Sequence, residues 1–159
     1  MLMLMFRARL IMFLIFGDLM KAFWLFLFGI VSIARGPVVT ESAFCQVSGF
    51  MVQYGTEMSD VAVLTIALHS AHQVFHPTPT TGSEGLYPYR YLIYTFALLI
   101  PATMAGLAFI NPDYGYLSQG AFCTLPLRPL WYRLALTWVP RYLVAGGILG
   151  LAAAIYKRV

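Results

Sequence analysis

Four membrane-crossing helices in a single domain, an all-α membrane protein, are expected from three observations. Of the 159 residues, 60% are hydrophobic and 10% are charged, against roughly 25% charged in an average soluble domain. The apolar residues gather into four long runs, separated by stretches rich in Pro, Gly and Thr. At about 20 apolar residues per crossing, the chain has room for four spans, or five with minimal loops, and none for seven. Ten Lys and Arg against six Asp and Glu give a net charge of +4 without a polybasic run, so nucleic acid is not the implied partner.

The first span is expected from about residue 10 to 33, starting behind Arg7 and Arg9 and ending at Arg35-Gly36-Pro37, where Gly and Pro break a helix. A signal peptide would share the charged start. Its apolar core would be only about 7 to 15 residues long, whereas this run is longer and contains Asp18 and Lys21, with no clear small-residue cleavage site. The second span, 47–75, is the most polar, carrying Gln53, Glu57, Ser59, Asp60, Thr65, His69 and His72, and is stable in lipid only if other helices surround it. His76 to Gly85 follows as a loop. The third span is expected at 91–110 and the fourth at 131–156, with Asn-Pro-Asp-Tyr-Gly opening the connection between them.

With the amino terminus cytoplasmic, the inner flanks hold Arg7, Arg9, Arg90, Lys157 and Arg158, and the outer flanks hold Arg35, Arg128 and Arg133. Positive residues favour the cytoplasmic side. The same orientation puts both cysteines, Cys45 and Cys123, outside, where a disulfide persists. Two separate buried thiols are the other reading. Neither cysteine belongs to a CxxC pair or a zinc-type Cys/His cluster.

Charges within spans cost about 2.5 to 3.5 kcal/mol each on insertion scales, which makes them functional suspects. Asp18 and Lys21 stand three apart on one helix and can form an intramembrane ion pair. Gln53, Glu57 and Asp60 follow 4-3 spacing and share one face of the second span. Their counter-ion is Arg141, directly after Pro140, which leaves the carbonyl of Leu136 without its helical partner. Two readings stand: a ligand pocket of Gln53, Glu57, Asp60, Trp138 and Arg141, or a salt-bridge network that only joins helices.

His69, His72 and His76 could share a helical face, yet no Cys joins them and Pro77 ends the helix, so partner contact is expected rather than metal. Gly146, Gly147 and Gly150, followed by three alanines, make a small-residue seam suited to close packing or to a helix–helix dimer through Gly146 and Gly150. No GxSxG, HExxH or phosphate-binding glycine loop occurs, and neither an enzyme nor a cofactor is expected.

A set of ordered words runs from about Gly17 to Tyr156: Gly17-Asp18-Leu19-Met20-Lys21-Ala22, Phe44-Cys45-Gln46-Val47-Ser48-Gly49-Phe50, Gly55-Thr56-Glu57-Met58-Ser59-Asp60, Gln119-Gly120-Ala121-Phe122-Cys123 and Trp138-Val139-Pro140-Arg141-Tyr142. In this order the chain resembles the fungal nutrient-sensing G-protein-coupled receptors of the glucose-receptor type, related to the cAMP-receptor-like class. The resemblance implies that the spans are helices two to five of a seven-helix receptor. It also implies that Cys45 pairs with Cys123 of the second extracellular loop, and that Pro140 is the helix-five proline. His69-Ser70-Ala71 stands where a rhodopsin-like receptor has Asp-Arg-Tyr, so the activation lock is not of that kind.

By the same register, helix one would precede Met1 and helices six and seven would follow Val159, as in a receptor fragment. The implied function is sensing of a small extracellular ligand, a sugar or similar nutrient, at the plasma membrane, with signalling through a heterotrimeric G protein alpha subunit. The G-protein-facing residues would be His69, His72, Tyr89, Arg90, Lys157 and Arg158, and membrane lipid surrounds the rest. A complete four-helix transporter, or a structural subunit of a membrane complex, is the alternative.

Overall fold

The computed structural model describes residues 2–75, 86–111 and 113–158 and is helical, with one small hairpin. Helix α1 spans Leu2–Arg35, beginning earlier than expected because Leu, Met and Arg before Leu10 are good helix formers, and this first part contributes the buried Phe6 and Leu10. It ends at Gly36, whose φ of 84° lies in the left-handed region that glycine reaches without strain. Helix α2, Ala43–Phe75, starts at Ser42, whose hydroxyl oxygen accepts the Cys45 amide at 3.2 Å as an N-cap. The expected loop 76–85 lies outside the described residues.

Helix α3, Arg90–Leu107, tightens into a 3-10 turn at Ala108–Ile110. Helix α4 covers Leu130–Arg158, with a π turn at Leu134–Trp138 just before Pro140. Between α3 and α4, strands β1 (Leu117–Ser118) and β2 (Cys123–Thr124) pair antiparallel in a hairpin that the sequence reading did not anticipate. Gly120, at φ 83°, provides the turn.

Among the described residues, three helices are long and apolar enough to cross a membrane: α1, α3 and α4. The exception, α2, has the length, 33 residues or about 50 Å, and its polarity is explained by position. It packs against α1, α3 and α4 and so is the centre of the bundle. Large apolar side chains instead cover the outward faces of α1, α3 and α4, among them Met12, Phe26, Ile100 and Leu149. On a membrane protein such surface meets lipid or further helices.

The core lies at one end, where Phe28, Cys45, Ala108, Tyr116, Cys123, Leu125, Tyr132 and Leu136 are buried together. Cys45 and Cys123 form a disulfide with Cα atoms 5.5 Å apart, joining the hairpin to the start of α2. Gln46 strengthens the same attachment. Its amide nitrogen donates to the Tyr116 carbonyl at 2.7 Å, and its oxygen accepts the Tyr116 amide at 3.0 Å. The Tyr116 ring lies on Gly49, where a Cβ would come within 2.5 Å of it, and its hydroxyl donates to the Ala105 carbonyl at 2.9 Å. Burial pushes the Tyr116 phenol well above its ordinary pKa, so it remains a neutral donor.

Cys45→Ser is expected to lower stability by about 2 kcal/mol, below the chain-entropy estimate for a free chain because inserted helices already restrain the loop. Thermal unfolding in detergent, with and without reductant, measures this. Wild type under reductant should match the variant.

Candidate ligand cavity and polar network

The polar face of α2 meets α4 where α4 is irregular. Pro140 has no amide hydrogen, which frees the Leu136 carbonyl, and the π turn ends at Trp138. Gln53 Nε2 donates to this carbonyl at 3.2 Å and to Glu57 Oε1 at 2.8 Å. The orphaned acceptor expected from the sequence therefore has a partner from another helix. Gln53 and Glu57 are both buried, Glu57 at 3% exposure. One turn further, Arg141 Nε donates to Asp60 Oδ2 at 3.3 Å.

Beside this network a cleft of about 500 Å³ opens between α2, α3 and α4. Glu57 and Asp60 are its acidic groups, and its walls include Leu64, Ile93, Phe96, Met104 and Leu143. The structure thus brings together Gln53, Glu57, Asp60 and Arg141. Trp138 stands apart: it is 40% exposed and stacks on Tyr142, with ring centres 5.7 Å apart, and does not line the cleft. The π turn rotates it out of the face that Gln53 meets. Gln53 and Arg141 do not line the cleft either but are bonded to the two carboxylates that do, and those carboxylates can exchange hydrogen bonds with a small hydroxylated molecule.

A second polar site joins α1 to α2. Lys21 Nζ donates to Asp18 Oδ1 at 3.0 Å, the expected pair, and Ser59 Oγ donates to the same oxygen at 3.0 Å. Here the backbones are in contact, since a Cβ on Gly55 would lie 2.7 Å from the Gly17 carbonyl oxygen. Of the seam expected to pack closely, only Gly147 meets another helix, its added Cβ lying 3.5 Å from Leu64, whereas Gly146 and Gly150 have nothing within 4 Å. Gly55 and Ser59, four apart on α2, were the small-residue signal that sequence reading passed over.

At the opposite end from the disulfide, His69 is 1% exposed, against the expectation that it faces a partner. Its Nδ1 accepts the Leu86 amide at 3.4 Å, its Nε2 lies 2.8 Å from Gln73 Nε2, and Arg7 donates to the Gln73 side-chain oxygen. It therefore ties α1, α2 and the turn before α3 together. His72, Tyr89, Lys157 and Arg158 remain exposed there, and Arg90 is partly exposed. Arg158 also lies over the Phe75 ring at 5.2 Å. His76 lies outside the described residues, among which no group of three potential metal ligands occurs.

Residues 2–159 match a family model described as "Git3: G protein-coupled glucose receptor regulating Gpa2". The chain is 32% identical to the G protein-coupled receptor GPR1 of Saccharomyces cerevisiae over 183 residues, covering 95% of this chain and 19% of that protein. It is 30% identical to the glucose receptor protein git3 of Schizosaccharomyces pombe over 112 residues, covering 70% of this chain and 24% of that protein. The chain thus spans about a fifth to a quarter of the length of these relatives, which are receptors and not enzymes. No solved structure matches it significantly.

Proposed function

Because the chain belongs to the family of G protein-coupled glucose receptors regulating Gpa2, we propose that it supplies helices two to five of a plasma-membrane receptor sensing extracellular glucose or a similar small nutrient. The receptor signals through a heterotrimeric G protein alpha subunit. The family match over residues 2–159 carries this reading. The disulfide end faces outward and the end bearing Arg7, Arg9, Arg90, Lys157 and Arg158 faces the cytoplasm, in keeping with the excess of positive residues on that side. Gln53, Glu57, Asp60 and Arg141 form the polar part of the ligand site, and the clamped hairpin holds its outer edge. His72, Tyr89, Arg90, Lys157 and Arg158 are offered to the G protein, and buried His69 positions the turn that carries Tyr89 and Arg90.

The test uses membranes from cells expressing the protein from its own gene, with guanine-nucleotide exchange on a Gpa2-type alpha subunit as readout. Glucose is expected to accelerate exchange. Glu57→Gln keeps the shape and the Gln53 contact but removes a charged acceptor, and should raise the half-maximal glucose concentration about tenfold. Its amount at the plasma membrane should not change. Exchange that ignores glucose, in membranes holding normal amounts of protein, would overturn the reading.

A further inference from the structure

Five of the ten Lys and Arg, Arg7, Arg9, Arg90, Lys157 and Arg158, gather at the end away from the disulfide. Among the described residues no Asp or Glu accompanies them: Asp18, Glu57 and Asp60 lie within the helices, and Glu41 and Asp113 lie near Tyr114 at the disulfide end. Arg7 is bound to Gln73 and Arg158 rests on Phe75, so both are turned toward α2. Arg9 is placed differently. It lines a groove of about 340 Å³ between α1 and α3, whose other walls are Met12, Phe13, Phe16, Met58 and Leu98.

Tyr91, seven residues before Leu98 and so on the same face of α3 as that groove wall, holds a second guanidinium. Arg90 Nη2 donates to the Tyr91 hydroxyl at 3.3 Å, and its guanidinium carbon is 4.7 Å from the centre of the Tyr91 ring. From Arg9 to Phe16 the groove follows α1 for about 10 Å, apolar throughout beyond the arginine. Two cations at the membrane surface above a narrow apolar trough match an amphiphile with an anionic head and a hydrocarbon tail. A sterol would offer a single hydroxyl to two guanidiniums, and a zwitterionic lipid would bring its own cation toward them.

We propose that the α1–α3 groove is a binding site for an anionic phospholipid of the leaflet at the basic end, its phosphate held by Arg9 and Arg90 and one acyl chain lying over Met58. The test takes the protein expressed from its own gene and reconstituted in bilayers of phosphatidylcholine, phosphatidylserine and ergosterol, and measures by mass spectrometry the lipid that it retains. Phosphatidylserine should be enriched over phosphatidylcholine. Arg9→Gln should reduce the enrichment about fivefold, and Arg9→Gln with Arg90→Gln about twenty-five-fold. Leu98→Trp, which fills the groove without altering charge, should reduce it as well, whereas Arg9→Lys and Arg35→Gln at the opposite end should preserve it. Equal retention of the two phospholipids, displacement of phosphatidylserine by ergosterol, or an Arg35→Gln loss equal to that of Arg9→Gln would each overturn the proposal.

Discussion

Gly55→Leu should leave little folded protein, because α1 and α2 cross there backbone to backbone. A Cβ on Gly55 would stand 2.7 Å from the Gly17 carbonyl oxygen and 3.2 Å from the Lys21 amide nitrogen, and one on Gly17 would stand 2.9 Å from the Gly55 carbonyl oxygen. Those neighbours are main-chain atoms of helices and cannot rotate aside, so only separation of the helices makes room. Separation also breaks the Ser59 to Asp18 hydrogen bond and withdraws α2 from the Asp18–Lys21 pair. Overpacking alone costs about 1 to 3 kcal/mol, and lost support for two charges in a span adds to it. The total for leucine is expected to exceed 3 kcal/mol by these estimates. Gly55→Ala, with the same Cβ clash, should be destabilised too, whereas Gly146→Ala and Gly150→Ala meet open space. Thermal unfolding of the four variants in detergent decides the matter. A Gly55→Ala protein that melts with wild type would show that the helices do not cross so closely.

The same crossing marks where the sequence was readable and where it was not. Composition and run length were enough for four helices, because the hydrophobic requirement of a span acts on every residue within it. The face of Gln53, Glu57 and Asp60 and the freed carbonyl of Leu136 were also legible, since helical spacing and the missing proline amide are local facts. That Gln53 would be the group to satisfy Leu136 was not, as the two are 83 residues apart and the partner depends on how α2 meets α4. For the same reason Trp138, adjacent to the right residues in sequence, lies outside the cleft: the π turn alters the phase on which its placement rested. Gly17 is an isolated glycine, and the four-residue spacing of Gly55 and Ser59 is no stronger a signal than that of Gly146 and Gly150, so only the packing of two distant segments distinguishes them. The Gln46–Tyr116 clamp was hidden likewise, in a loop whose backbone bonds follow no periodicity.

A double-mutant cycle at Asp60 and Arg141 should separate a ligand site from a network that only holds helices together. The pair is 3.3 Å apart within the spans, and the Asp60 and Arg141 side chains are 25% and 47% exposed. Arg141→Met leaves Asp60 charged without its cation, with Glu57 one turn away. Since a charge in mid-span costs about 2.5 to 3.5 kcal/mol on insertion scales, a loss of about 3 kcal/mol is expected. Asp60→Asn should cost about as much, by stranding the guanidinium. Removing both together should cost less than either change alone, because no unpaired charge remains, which corresponds to a coupling energy above about 3 kcal/mol between the sites. Additive losses would show that the pair does not contribute as a pair.

The double variant also carries the functional answer. If the group binds ligand, this protein should reach the membrane in normal amounts and yet give no glucose-stimulated nucleotide exchange, because the groups that pair with hydroxyls are gone while the fold remains. A double variant that is folded and still responds to glucose would reduce Asp60 and Arg141 to a structural bridge, and ligand recognition would then have to rest on Gln53 and Glu57, the buried pair that the π turn brings into contact with α4.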